Sequence, residues 1–104
     1  MQRVAFKMQL KPGNEAEYKR RHDEIWPELS RELAARGVRD YSIFLDRETM
    51  TLFAFQRVTD DNTADELPRT EIVRKWWDSM ADLMEVNDDN SPVQKPLVEV
   101  FHMD

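Results

Sequence analysis

The fold is decided by residues 38–59, which read VRDYSIFLDRETMTLFAFQRVT. Residues 38–46 and residues 50–59 are rich in the β-branched and aromatic side chains that are typical of β-strands. The polar residues 46–49 form a short connection between the two stretches. We therefore predict an antiparallel hairpin.

The residues before the hairpin predict one strand and one bent helix. Residues 4–10 alternate in polarity, and Asn14 follows their closing turn in the position of a helix N-cap. A helical pattern then continues to about residue 36, and Gly37 is placed to terminate it. Because Pro27 lies inside this pattern and has no amide hydrogen, we expect it to kink the helix or to split it into two pieces.

The residues after the hairpin predict a second helix and a last strand. Pro68 interrupts this region, so we expect a short helical piece before it and a main helix at residues 70–84. Residues 85–96 are polar and typical of a loop, and residues 97–103, LVEVFHM, alternate as a strand does. The order βαββαβ is that of the ferredoxin-like α+β fold, an antiparallel sheet with two helices on one face. We expect the 104 residues to form a single domain.

Both faces of the predicted sheet carry apolar side chains. Phe53 and Phe55 project from one face of the third strand, and Leu52, Ala54 and Val58 project from the other. Two helices can cover only one of these faces. A second copy of the chain is the simplest cover for the other face, so we predict a homodimer that packs sheet to sheet.

The composition narrows the possible functions. Apolar residues make up 40% of the chain and charged residues 35%, which is typical of a globular protein, and there is no cysteine for a disulfide or a thiolate metal site. The formal net charge of -6 argues against nucleic acid or an anionic membrane as a partner. The start has no signal-peptide pattern, and no segment has the roughly 20 apolar residues of a membrane span. We therefore expect a cytoplasmic protein.

His22 is the first candidate for chemistry. It follows Tyr18 by four residues, so both side chains project from one helix face toward the sheet, and an imidazole exchanges protons near neutral pH. The alternative is a structural histidine that bonds Tyr18 or a backbone carbonyl. The other histidine, His102, lies on a separate element and is expected to be structural or exposed, so no metal site is predicted.

Aromatic residues are the second group of candidates. Trp76 and Trp77 are adjacent on the predicted main helix and point about 100° apart, so their rings flank its inward face, where they could hold the C–H side of a sugar. A core stripe is the more common explanation of this spacing. Tyr41 shares a strand face with Ile43 and Leu45, which indicates either a packing tyrosine or a phenol whose hydroxyl needs a partner.

Four segments occur in a distinctive order and spacing: EYKRRH at residues 17–22, IWPEL at 25–29, WW at 76–77 and NDDNSPV at 87–93. Together they resemble the L-rhamnose mutarotase family, and the resemblance extends along essentially the whole chain. It implies a ferredoxin-like fold of the dimeric α+β barrel type. It also implies interconversion of the α- and β-anomers of L-rhamnopyranose without a metal or an organic cofactor.

The resemblance implies roles for five residues. The family's proton donor falls on His22, and its substrate-contacting positions fall on Tyr18, Tyr41, Trp76 and Trp77. We hypothesise that the imidazole protonates the ring oxygen of the sugar while a partner base takes the proton of the anomeric hydroxyl.

Three kinds of group could be that partner base: an activated water, a tyrosine in a hydrogen-bond relay, or a carboxylate such as Asp23 or Glu28. Two other functions are also compatible with this fold, since a fold alone does not fix the activity. One is a cofactor-free monooxygenase that acts on an apolar planar ligand such as a quinol or a porphyrin, and the other is a sugar-binding dimer without catalysis.

Overall fold

A computed structural model describes residues 1–104. The elements in chain order are β1 (Gln2–Gln9), α1 (Glu15–Asp23), α2 (Pro27–Ala35), β2 (Val38–Asp46), β3 (Thr51–Val58), a 3₁₀ helix (Ala64–Arg69), α3 (Glu71–Met80) and β4 (Gln94–Leu97). The strands form one antiparallel sheet in the order β2-β3-β1-β4. This order confirms the predicted ferredoxin-like α+β fold. None of the helices has both the length and the apolar character needed to cross a bilayer.

The first predicted helix is split in two at Pro27. α1 ends at Asp23, and Pro27 is the first residue of α2, where its missing amide hydrogen costs no intrahelical bond. Trp26 is extended, with φ -61° and ψ 128°, because a residue before proline avoids the helical conformation. α2 ends before Gly37, as predicted, and the φ of +97° at this residue favours glycine.

Two helix ends differ from the prediction. Asn14 occupies the N-cap position of α1, but its side chain does not cap the helix and instead donates to the Leu83 carbonyl at 3.3 Å. α3 ends at Met80 rather than at residue 84. Met84 leaves the helical path to bridge Leu10 at the end of β1, where it is buried. Packing against the sheet therefore overrides the helical spacing of the methionines.

The prediction of the last strand was wrong in position. β4 spans Gln94–Leu97, mostly within the predicted loop, and residues 98–104 are exposed and form no strand. Arg3 Nε and Glu99 Oε1 form an ion pair of 2.9 Å that links this tail to β1 without backbone pairing. Alternation predicts a strand, but a strand also needs backbone partners, and residues 98–104 have none within the chain.

The two faces of the sheet have different environments. Leu52, Ala54 and Val58 face the helices and are buried. The opposite face carries Phe44 and Phe53, which are 69% and 39% exposed. The side chains of β3 thus divide between the faces as predicted, and one partly apolar face has no cover within the chain.

Candidate active site

The core beneath the helices consists of two apolar clusters. One contains Leu52 and Ala54, and the other contains Leu29 and Val58. Trp76 of α3 packs against both clusters. Because residues of β3 belong to both clusters, the boundary between the clusters crosses the sheet.

One row of side chains marks this boundary. Val4 of β1 pairs with Gln56 of β3, and Tyr41 of β2 lies opposite Gln56. All three face the helices, yet Val4 and Tyr41 are each 39% exposed, whereas Ala54 and Val58 in the neighbouring rows are 1% and 4% exposed. A solvent-exposed row between two buried rows indicates a hollow between the sheet and the helices. Val4, Gln56 and Tyr41 form the sheet side of this hollow.

A β-bulge next to Tyr41 lets Val38 and Tyr41 face the helices together. The register of β2 against β3 shifts between Arg39 and Ser42, so that Asp40 and Tyr41 together oppose the single residue Gln56. Asp40 has a φ of +50°, a left-handed conformation that aspartate tolerates better than most residues. Strict alternation along residues 38–41 would place Val38 and Tyr41 on opposite faces, so the extra residue lets both face the helices.

His22 lies on α1 among aromatic rings. Its imidazole stacks on the Tyr18 ring with a centroid separation of 4.3 Å and makes a T-shaped contact of 5.3 Å with Trp76. His22 Nδ1 lies 3.0 Å from the carbonyl oxygen of Tyr18. A carbonyl oxygen can only accept, so Nδ1–H donates this bond and Nε2 remains free.

The surroundings of His22 favour its neutral form. Burial lowers the pKa of the imidazole below its ordinary value of 6.5, and the bond to the Tyr18 carbonyl and the charge of Asp23 only partly oppose this shift. Near neutral pH the free Nε2 therefore carries a lone pair. Such a nitrogen can accept a proton and return it.

Two tyrosines share this environment. Tyr18 is buried, which raises the pKa of its phenol, and the neighbouring Tyr41 raises it further. Burial also raises the pKa of Tyr41, and the nearby polar side chain of Gln56 offsets part of that shift. Both hydroxyls therefore stay protonated at physiological pH. Tyr41 is surrounded by protein and still open to water, as expected for a side chain that lines a concave site.

The three tryptophans make different contacts. Trp76 makes the ring contact with His22 and a second T-shaped contact of 5.1 Å with Trp26. Trp77 is half-buried and packs against the cluster that contains Leu29 and Val58. Trp76 and Trp77 therefore both make some of the contacts that are expected of a core stripe.

Neither candidate carboxylate is bound to the imidazole. Asp23 Oδ2 accepts a bond of 2.8 Å from Lys19 Nζ and is exposed, and Glu28 at the start of α2 is also exposed. His102 is exposed in the tail, as expected, and its Nε2 lies 2.9 Å from Asp104 Oδ1. The free nitrogen of His22 thus has no acidic partner within the chain.

The structure unites most of the predicted site residues. Tyr18, His22 and Trp76 are in direct ring contact, and Tyr41 is close enough to Tyr18 to influence its pKa. Trp77 lies apart from the imidazole, on the neighbouring cluster.

Sequence reasoning missed two residues that belong to this region, Trp26 and Gln56. Trp26 comes four residues after His22, but the expected bend made its direction unpredictable. Gln56 is the polar residue in a series of inward positions that otherwise holds Leu52, Ala54 and Val58. That interruption of an apolar face was a usable signal.

Comparisons with known proteins identify the family. The family model of L-rhamnose mutarotase matches residues 3–103. The chain belongs to the L-rhamnose mutarotase family. An L-rhamnose mutarotase of Bacteroides thetaiotaomicron is 62% identical over 104 residues, which cover 100% of both chains. One of Listeria monocytogenes is 52% identical over 103 residues, which cover 99% of both.

Solved structures agree with this assignment. The crystal structure of an L-rhamnose mutarotase from Formosa agariphila superposes with a TM-score of 0.93 at 57% identity over 100% of both chains. A conserved protein from Methanosarcina mazei shares the fold alone, with a TM-score of 0.61 at 17% identity over 91% of this chain and 88% of the other. These matches confirm the predicted class, a carbohydrate isomerase that acts on L-rhamnose, and do not favour the monooxygenase or the sugar-binding dimer.

Proposed function

We propose that the chain opens and recloses the L-rhamnopyranose ring in the hollow, with His22 as the residue that carries the proton. Membership of the family supplies the substrate and the reaction. The proposal for the site rests on one observation, the 3.0 Å bond from His22 Nδ1 to the Tyr18 carbonyl, which leaves Nε2 as the only nitrogen available to a ligand.

The proposed reaction balances with a single proton. Ring opening removes the proton of the anomeric hydroxyl, breaks the bond between the anomeric carbon and the ring oxygen, and adds a proton to that oxygen. Both oxygens are bonded to the same carbon, so one nitrogen can serve both. Neutral His22 accepts the hydroxyl proton on Nε2 and, as the imidazolium, donates it to the ring oxygen. The aldehyde then rotates, and the reverse steps give the other anomer.

In this path His22 can act as a proton donor although its neutral form is favoured, because the imidazole first accepts the proton that it later donates. The path also needs no separate base, which agrees with the absence of a carboxylate bound to the imidazole. The proton transfers need neither an oxidant nor a reductant.

Four aromatic residues complete the proposed site. The Tyr18 ring, stacked on the imidazole at 4.3 Å, and its carbonyl hold His22 in one orientation. Tyr41 offers a hydroxyl to the sugar at the sheet end of the hollow. Trp76 and Trp77 present ring faces to the C–H side of the pyranose and exclude bulk water, so that the reacting atoms stay in place.

We further propose that the protein is a homodimer. The uncovered sheet face carries Phe44 at 69% and Phe53 at 39% exposure, and Leu97 of β4 extends the same face. The tail adds four exposed apolar side chains: Val98, Val100, Phe101 and Met103. An apolar surface of this kind is stabilised when a second copy removes it from water.

The remaining proposals concern organisation and location. One sheet and its helices account for residues 2–97, which supports a single mutarotase domain. The chain depends on no disulfide, since it has no cysteine, and this supports work in the reducing cytoplasm.

Polarimetry of freshly dissolved α-L-rhamnose tests the reaction, and tryptophan fluorescence tests binding, since Trp76 lies beside His22. We expect the protein to speed the drift of optical rotation and rhamnose to change the fluorescence. Binding without acceleration would indicate a sugar-binding protein, and acceleration of another aldose alone would correct the substrate. A protein that binds quinols and accelerates no aldose would contradict the proposal.

A further inference from the structure

Gln56 is a polar residue in an apolar setting. It lies on the helix-covered face of β3 between Ala54 and Val58, which are 1% and 4% exposed, and is itself half-buried. A leucine or valine at this position would join the two apolar clusters into one. The chain instead places an amide where the core is interrupted.

The position of Gln56 is central to the hollow. Val4 flanks it on β1, and the bulge on β2 brings Asp40 and Tyr41 opposite it. The open row that these residues form lies on the same sheet face as the buried Tyr18 ring, which stacks on His22. The Gln56 row and the imidazole thus lie on the same side of the sheet, where a ligand can face both.

The amide of Gln56 has unused hydrogen-bonding capacity. A glutamine side chain offers two N–H donors and an oxygen with two lone pairs, and Gln56 lies opposite Tyr41 on the neighbouring strand. No fully buried polar side-chain atom is left without a partner in this chain, so the amide groups are open to solvent and to a ligand. Sugar hydroxyls both donate and accept, and an amide matches them on both counts.

We propose that Gln56 is a further sugar-binding residue, which together with Tyr41 holds a hydroxyl of the substrate at the floor of the hollow. This proposal rests on the proposed function of the chain as an anomer-exchanging enzyme. Gln56 takes no part in the proton transfer, so its contribution is to affinity and to selectivity among sugars.

Kinetics of Gln56→Leu test the proposal. Leucine keeps a similar volume and suits an apolar face, so the variant should unfold at the same or a higher temperature. We expect KM for L-rhamnose to rise roughly 5- to 30-fold with little change in kcat, because a sugar hydroxyl loses its partner in the ground state and the transition state alike. Gln94→Leu is the matched control, since Gln94 is an exposed residue of β4 and should leave KM unchanged.

Deoxy analogues of L-rhamnose, each lacking one hydroxyl, locate the contact. For the one analogue that lacks the contacted hydroxyl, Gln56→Leu should change KM little. For the other analogues it should raise KM by the same factor as for L-rhamnose. The Tyr41→Phe background shows whether Gln56 contacts the sugar or only positions the Tyr41 hydroxyl. If the amide contacts the sugar, Gln56→Leu should raise KM further in that background.

Two outcomes would overturn the assignment of Gln56. One is an unchanged KM in the folded Gln56→Leu variant, and the other is the absence of any added effect in the Tyr41→Phe background. A wild-type protein that accelerates no aldose would instead contradict the proposed function itself, so the two failures are distinguishable.

Discussion

The His22 imidazole has one nitrogen bound to a carbonyl of its own helix and one nitrogen free. The i to i+4 spacing of Tyr18 and His22 produces both features, because it places the ring over the preceding turn, where it reaches the carbonyl at 3.0 Å and the phenol at 4.3 Å. The two interpretations of the histidine are therefore compatible. A structural hydrogen bond at Nδ1 fixes the tautomer that leaves Nε2 available for chemistry.

The pH dependence of the reaction follows from the lowered pKa of His22. Neutral imidazole is the form that starts the proposed cycle, and protonation removes it. Turnover should therefore be constant near neutral pH and fall as the pH is lowered through the pKa of His22, below 6.5. Burial raises the pKa of Tyr18 and Tyr41 above the ordinary value of 10.0, so no loss from these phenols is expected below that pH.

The measurement is kcat against pH, corrected for the spontaneous rate at each pH. A rise in kcat on acidification would mean that the imidazolium starts the cycle, and it would contradict the single-nitrogen path.

Residue patterns predicted contacts within one element better than contacts between elements. Spacing on one helix brought Tyr18 and His22 together correctly. The separation of Trp76 from Trp77 depends on which apolar cluster each ring joins, and that is a property of the assembled core. Trp26 reaches Trp76 only because the chain turns at Pro27, by an angle that the sequence does not state.

The bulge in β2 lies directly beside Tyr41. Asp40 holds a φ of +50°, which a β-branched residue tolerates poorly, so Asp40→Val should cost about 1–2 kcal/mol. If the strained backbone distorts the bulge, the neighbouring Tyr41 is displaced and KM for L-rhamnose rises. Asp40→Gly and Asp40→Asn are the matched controls, since both accept positive φ, and neither keeps the ion pair of 3.8 Å with Arg57.

Steady-state kinetics and urea unfolding of the three variants test this role. We expect KM to rise in the valine variant and to stay near the wild-type value in the other two. Equal KM increases in all three would assign the effect to the lost charge rather than to the backbone.

The junction between α2 and β2 depends on Gly37. Its φ is +97°, and an added Cβ would lie 2.5 Å from Thr59 Oγ1 and 2.6 Å from Asn62 Cβ. Gly37→Ala should therefore lower the free energy of unfolding by about 2–4 kcal/mol. Gly13→Ala is the control, because Gly13 has a φ of +84° and no atom within 4 Å of the added carbon, and about 1 kcal/mol is expected there.

Denaturant unfolding of both variants measures the difference. A Gly37→Ala variant as stable as Gly13→Ala would mean that the loop of Thr59 and Asn62 shifts to make room for the added Cβ at little cost in free energy.

At the scale of elements, the backbone signals of glycine and proline were reliable, whereas the side-chain cap of Asn14 and the details of strand pairing were not. Gly37 and Pro27 act through their own backbone geometry, and both ended or split helices where predicted. The bulge at Asp40 and the end of β4 depend on pairing with another strand. The sequence pattern alone therefore placed the last strand in residues 97–103, although only Gln94–Leu97 lie in register with β1.

The whole molecule leaves one sheet face uncovered, and the proposed homodimer accounts for it. Phe44→Glu places a charge on that face, on the edge strand β2, where the phenylalanine is 69% exposed. We expect this variant to be monomeric, because burying an unpaired carboxylate in an interface is strongly unfavourable. Ser30→Glu, on the exposed surface of α2, is the control and should keep the mass of the wild type.

Sedimentation velocity of the three proteins measures their mass in solution. A wild type that sediments as a monomer at micromolar concentration would contradict the dimer. A dimeric Phe44→Glu protein would place the interface elsewhere on the molecule.

The most direct test of the account is saturation-transfer NMR on the anomeric protons of L-rhamnose at neutral pH, with wild type, His22→Ala and the control His102→Ala. We expect magnetisation to pass between the α and β signals with wild type and His102→Ala. The exchange rate at saturating sugar should fall by about 10²- to 10⁴-fold in His22→Ala, because the residue that carries the proton is lost. A folded His22→Ala protein that exchanges the anomers at the wild-type rate would contradict the central claim.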